Sequence, residues 1–154
     1  MSAICLIDTS VFVEILRVPG KATRYAEVLG VLNERLAIRR EELFLPMATI
    51  LETGNHIGQN GDGRQRRACA ERFVQQVSDA LKGQSPFKPV SFLKADQLQA
   101  WLEEFPDHAG RGSGLADLSI IHDWQRLCDQ NAGRRVYIWS LDDHLVGFDR
   151  AATI

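Results

Sequence analysis

AICLIDTSVF, residues Ala3 to Phe12, is the stretch that decides the fold. Ile4 to Ile7 is an unbroken apolar run of strand length, closed by Asp8. A strand with one solvated face alternates apolar and polar residues; an unbroken run reads as a strand covered on both faces. Thr9 and Ser10 follow, then Val11, Phe12, Ile15 and Leu16 at helical spacing. The pattern predicts a helix with Ser10 as its N-cap and Pro19-Gly20 as its stop.

The alternation continues along the chain. Tyr25, Val28, Leu29, Leu32 and Leu36 predict an amphipathic helix between Lys21 and Arg39. Leu43 to Leu45 predicts a second strand, and Pro46 the start of a helix carrying Met47, Ile50, Leu51, Glu52 and Ile57. The GQNGDG stretch, Gly58 to Gly63, is turn chemistry. A helix through Ala70, Phe73, Val77 and Leu81 precedes a break at Gly83 to Pro89. Val90, Ser91 and Phe92 suggest a third strand, and Ala95 to Phe105 a helix ended by Pro106. Residues 106 to 114 read as a glycine-rich loop, Leu115 to Cys128 as a helix and Val136 to Trp139 as a fourth strand. Strands alternating with helices predict an α/β, three-layer sandwich with a central, mostly parallel sheet flanked by helices. With 154 residues and no linker or repeat, one domain over residues 1–154 is expected.

Composition narrows the partners. Eighteen basic and twenty acidic residues give a net charge of −2, so a nucleic-acid partner requires local basic patches. Cys5, Cys69 and Cys128 are odd in number and widely spaced, which suits buried thiols in a reducing cytoplasm. No apolar run has membrane-spanning length and no leader is evident, so a cytoplasmic protein without a membrane partner is expected.

In open α/β sheets, sites form at the C-terminal strand ends. Asp8 ends the first strand, Glu52 lies on the helix after the second, Asp117 opens a helix behind a glycine-rich approach, and Asp142 follows the last strand by two residues. Asp143 competes with Asp142 for that role. Carboxylates gathered without cations repel one another and favour protonation, whereas a hard divalent ion relieves that cost. Such an ion activates water and stabilises the leaving oxygen in phosphodiester cleavage. A turn acid, a helix cap or a solvated helix position is the plainer reading of each carboxylate taken alone. Arg111, in the loop before Asp117, is the best phosphate contact, ahead of Arg64, Arg66, Arg67, Arg134 and Arg135. The histidines are not spaced as a ligand set, and Trp101, Trp124 and Trp139 fall on core patterns. No nucleophile elbow, P-loop or dinucleotide fingerprint occurs, and Ser10 stands where a haloacid-dehalogenase site needs a second Asp.

LIDTS (Leu6 to Ser10), LPMATILETGNHI (Leu45 to Ile57), GLADLSII (Gly114 to Ile121) and WSLDDHL (Trp139 to Leu145), in this order, resemble the PIN domain, the PilT N-terminus-like nuclease family. The resemblance spans essentially the whole chain. It implies a PIN-like fold and a metal-dependent endoribonuclease, often the VapC-type toxin of a type II toxin–antitoxin pair. Asp8, Glu52, Asp117 and Asp142 match the four family acids. Mg2+ or Mn2+ is the implied cofactor, held by Asp8 and Asp117. Ser10 matches a small hydroxyl position, and Ser140 stands where the family usually has threonine, with a hydroxyl able to orient Asp142 or a metal-bound water. RNA, an antitoxin protein and a second copy of the chain are the implied partners. A catalytically quiet interaction or RNA-binding module on the same fold is the alternative. The extra length near Gly58 to Gly63 and Pro106 to Gly114, and the acidic net charge, depart from compact toxin members.

Overall fold

A computed structural model describes residues 1–153. Five strands form one sheet: β1 (Ile4–Ile7), β2 (Glu42–Leu45), β3 (Phe87–Pro89), β4 (Val136–Trp139) and β5 (Asp149–Arg150). Their order is β3-β2-β1-β4-β5. All neighbours are parallel except β4 and β5. The chain therefore builds outward from β1 to β3, crosses back, and places β4 on the other flank of β1. This reversal leaves a crevice at the C-terminal ends of β1 and β4, the place where such sheets bind ligands.

Both faces of the sheet are covered. Cys5 and Ile7 of β1 pack with Val11 and Phe12 of α1 (Thr9–Ile15) and its C-cap Leu16, Val28 and Leu32 of α2 (Tyr25–Asn33), Ile57 of α3 (Met47–Gly58) and Cys69 and Ala80 of α4 (Gly63–Leu81). Ile4 and Leu6 point to the other face and pack with Ile120, Leu127 and Cys128 of α6 (Leu115–Gln130). A fifth helix, α5 (Ala95–Gly110), lies against α6. The arrangement is α/β, with helices on either side of a mostly parallel sheet, and is compatible with three layers. The apolar run of β1 is thus explained by burial on two sides. Phe12 anchors the first core: its ring centroid lies 6.5 Å from Phe73 and 6.0 Å, edge-on, from Phe87. Such aromatic pairs add about 0.5–1.5 kcal/mol each beyond burial alone.

Several boundaries differ from the sequence-based expectation. The N-cap of α1 is Asp8, not Ser10: Asp8 is extended and its carboxylate accepts the Ser10 amide. Helix α2 begins only at Tyr25, because residues 21–24 are held as a turn, and it passes into one π-helical turn at Glu34–Ile38. The third strand is Phe87–Pro89 rather than residues 90–92. Its register pairs Leu43 with Phe87 and Leu45 with Pro89. Phe87 reaches the core there, and Pro89 is tolerated because β3 is an edge strand. Phe92 is 64% exposed.

Pro106 lies inside α5 and does not end it. A proline removes one helical hydrogen bond, yet the helix runs on to Gly110. It closes through Gly112, whose φ of +85° turns the chain. The expected loop at residues 106–114 shrinks to four residues, 111–114. The two-residue strand β5 is too short to leave a periodic signal. All three cysteines are buried and free. Among the described residues no helix is long and apolar enough to cross a membrane.

Thr49 ties α3 to the sheet. Its hydroxyl, 1% exposed, donates to the Ile7 carbonyl at 2.7 Å. Thr49→Val keeps the shape and removes the donor. It should lower the unfolding free energy by about 1–3 kcal/mol, read as an earlier urea midpoint. An unchanged midpoint would mean that the bond does not hold α3 against β1.

Candidate active site

The crevice between the ends of β1 and β4 is organised by Asp8. Its backbone amide donates to Trp139 O at 3.0 Å, which extends the parallel pairing by one residue past the strand. Its Oδ2 accepts the Ser10 and Ser140 hydroxyls, each at 2.8 Å. The Ser10 hydroxyl in turn accepts the Leu141 amide at 2.9 Å, and the Ser140 hydroxyl accepts the Asp142 amide at 2.9 Å. Two serines from opposite ends of the chain thus lock one carboxylate oxygen and the start of the loop after β4. Asp8 is only 8% exposed, and a carboxylate this buried requires such donors.

A cleft of about 370 Å³ opens beside Asp8. Glu52, Asp117 and Asp142 all line it, together with Thr9 and Ser10. Glu52 arrives on α3, whose position is fixed by the Thr49 bond. Asp117 sits in the first turn of α6 behind the Gly114 N-cap, where the helix dipole favours negative charge. Asp142 follows β4, and its own Oδ1 accepts the His144 amide at 3.1 Å. Asp143 is exposed and does not line the cleft, whereas Asp142 does.

One sequence-based placement needs correction. Arg111 is the C-cap of α5, exposed, and absent from the cleft wall. The continuation of α5 past Pro106 is the reason: the segment expected to loop into the site is helix. Ser140 acts on Asp142 through the backbone amide rather than the carboxylate. It holds the Asp8 carboxylate and the Asp142 backbone.

Several residues of the cleft were overlooked in the sequence, a buried acid among them. Glu14 lines it and is 3% exposed. Its two carboxylate oxygens accept the Thr23 and Arg24 amides at 3.0 Å each. An acid inside the apolar run Val11 to Leu16, on a helix expected to be buried, is the signal that marks it.

The electrostatics follow from this crowding. Burial raises the proton affinity of Glu52, and the charges of Asp8 and Asp117 add to the effect against an opposing contribution from Thr9. Burial likewise raises that of Asp117, reinforced by Asp8 and Asp142. Among the described residues, no group of three or more His, Cys, Asp or Glu side chains is arranged to hold an ion unaided. The donor chemistry still suits a hard cation. The oxygens are carboxylates whose mutual repulsion a divalent charge would cancel, and magnesium commonly takes only one or two protein carboxylates.

The raised proton affinities have a definite sign. A carboxyl that binds its proton more tightly when folded adds stability below its unfolded pKa, and that contribution is lost as pH rises through the folded value. In metal-free buffer at neutral pH, Glu52→Gln and Asp117→Asn should therefore melt above the parent protein. The advantage should shrink as pH falls through the carboxylate range. Melting curves in chelator at several pH values measure this, and variants less stable than the parent at neutral pH would contradict it.

Comparison with protein-family models, with curated proteins and with solved structures found no match to this chain.

Proposed function

We propose that this chain is a PIN-type, metal-dependent endoribonuclease. The observation that carries the reading is the meeting of Asp8, Glu52, Asp117 and Asp142 in one cleft at the C-terminal ends of β1 and β4. These acids come from four separate segments, and Asp8 is held by hydroxyls rather than by a cation. A purely structural role would more simply neutralise such a carboxylate with Lys or Arg. The resemblance of four ordered motifs to the PIN family supplies the substrate class.

Asp8 and Asp117 are the residues that would hold Mg2+ or Mn2+. The bound ion would supply water activation and charge stabilisation at the scissile phosphate. Ser10 and Ser140 fix the free Asp8 oxygen in direction by occupying the other one. Glu52, whose carboxyl keeps its proton more readily than usual, is suited to proton transfer beside the reacting phosphate. Asp142, on the loop fixed by Ser140, completes the negative wall.

A toxin role with an antitoxin protein, and a homodimeric state, extend this proposal by resemblance alone. A neighbouring reading frame for a small DNA-binding protein is the observation that separates a toxin from a free-standing nuclease.

Incubation of the purified protein with a mixed RNA pool should give cleavage that requires Mg2+ or Mn2+. Asp8→Asn should abolish it. Ser140→Ala should reduce it by roughly 10–100-fold, the range seen when a carboxylate loses its orienting partner. Cleavage by Asp8→Asn at the parent rate would refute the assignment. An absence of both metal binding and cleavage would favour the quiet, binding-only alternative.

A further inference from the structure

Five acids line this cleft, Glu14 among them, and they repel the phosphates of the proposed substrate. A bound divalent ion offsets charge at the reacting phosphate, but a strand also carries neighbouring phosphates, which need cations of the protein. Arg111 does not line the cleft. Two cations, Lys21 and Arg24, and the imidazole of His56 line the same 370 Å³ space.

These three are not equivalent. Arg24 is already engaged, bonding Glu27 through Nε at 2.9 Å and Nη2 at 2.6 Å. His56 stands one helical turn beyond Glu52 on α3, and its Nδ1 is buried without a hydrogen-bond partner. Burial, and then the nearby Lys21 charge, lower the proton affinity of its ring. Lys21 makes no ion pair and no side-chain hydrogen bond among the described residues, although acids are abundant in the chain.

The backbone beneath Lys21 is held unusually firmly for a surface turn. Its amide and that of Ala22 both donate to Val18 O at 3.0 Å. The Asn60 side-chain amide donates to Pro19 O at 3.0 Å. The buried Glu14 carboxylate then binds the Thr23 and Arg24 amides. Burying a charge is costly unless it is hydrogen-bonded, so the Glu14 carboxylate and the two turn amides hold one another in place. A lysine on a prefixed backbone loses less freedom on binding an anion than one on a mobile loop.

We propose that Lys21, seated on the turn clamped by Glu14 and flanked by His56, is the phosphate-docking point of this cleft, taking a backbone phosphate of a single-stranded nucleic acid next to the one at the acids. The inference rests on the nuclease reading for its substrate class. It makes Lys21 a substrate-binding residue and Glu14 a positioning residue that acts through the turn.

The test uses fluorescein-labelled single-stranded RNA and the full chain carrying Asp8→Asn, so that the RNA stays intact. Anisotropy titrations across a salt series compare this protein with versions that also carry Lys21→Ala, Lys21→Arg or Lys82→Ala, the last an exposed lysine outside the cleft. Lys21→Ala should weaken binding and flatten the plot of log affinity against log salt by about 0.7, the contribution of one phosphate contact on a single strand. Lys21→Arg should largely restore both, and Lys82→Ala should change neither. Parent cleavage of RNA is measured in parallel. Equal affinity and slope for Lys21→Ala overturns the docking point while leaving a cleaving parent's nuclease reading intact. A lost slope with no cleavage by the parent keeps the docking point and overturns the nuclease reading. No RNA binding at all overturns both.

Discussion

The hydrogen bonds from Ser10 and Ser140 to one oxygen of Asp8 are the constraint around which the rest is arranged. They join the end of β1 to the end of β4, which are 132 residues apart in the chain but adjacent in the sheet. They give a buried carboxylate its donors without cancelling its charge. They also fix where the chain goes next, because the same two hydroxyls accept the Leu141 and Asp142 amides. Asp142 therefore faces the cleft as a consequence of how Asp8 is satisfied. The fold contributes the crossover that makes β1 and β4 neighbours; the serines turn that adjacency into a site.

The cost of this arrangement is electrostatic. Glu52 and Asp117 bind protons more tightly than isolated carboxyls do, chiefly because they are partly buried and then because other acids stand near. The folded chain keeps four acids together where a protein selected only for stability would interpose a basic residue. Strain of this kind is a pointer to function, since groups with shifted proton affinity cluster where charge is handled. In the same cleft a second buried acid, Glu14, accepts two backbone amides and stabilises a turn. The two kinds of buried carboxylate in one cleft, one satisfied by backbone amides and one by hydroxyls at the end of a strand, do different work.

Much of this was legible in the sequence. The apolar run Ile4 to Ile7 announced a strand buried on both faces, and Val136 to Trp139 matched its strand residue for residue. Asp8 and Asp142 were identifiable because they follow strands, Glu52 because it lies on the helix after β2, and Asp117 because it opens a helix behind a glycine-rich approach. What escaped depended on long-range packing. The register that makes Phe87–Pro89 a strand comes from β2 and from the place Phe87 finds beside Phe12, neither of which is local. Pro106 looked like a helix end because one lost hydrogen bond seemed decisive, whereas α5 continues to Gly110. That error also misplaced Arg111. Lys21 gave no local signal, since its role comes from a turn held by residues 14 and 60.

The account stands on the claim that the Asp8 cleft binds a divalent cation. Calorimetric titration of the metal-free protein with Mn2+, beside the Asp8→Asn variant at the same pH, tests it most directly. The account predicts saturable binding to the parent protein and its loss in the variant while the fold is retained by circular dichroism. Binding of equal strength and stoichiometry to both proteins would contradict it.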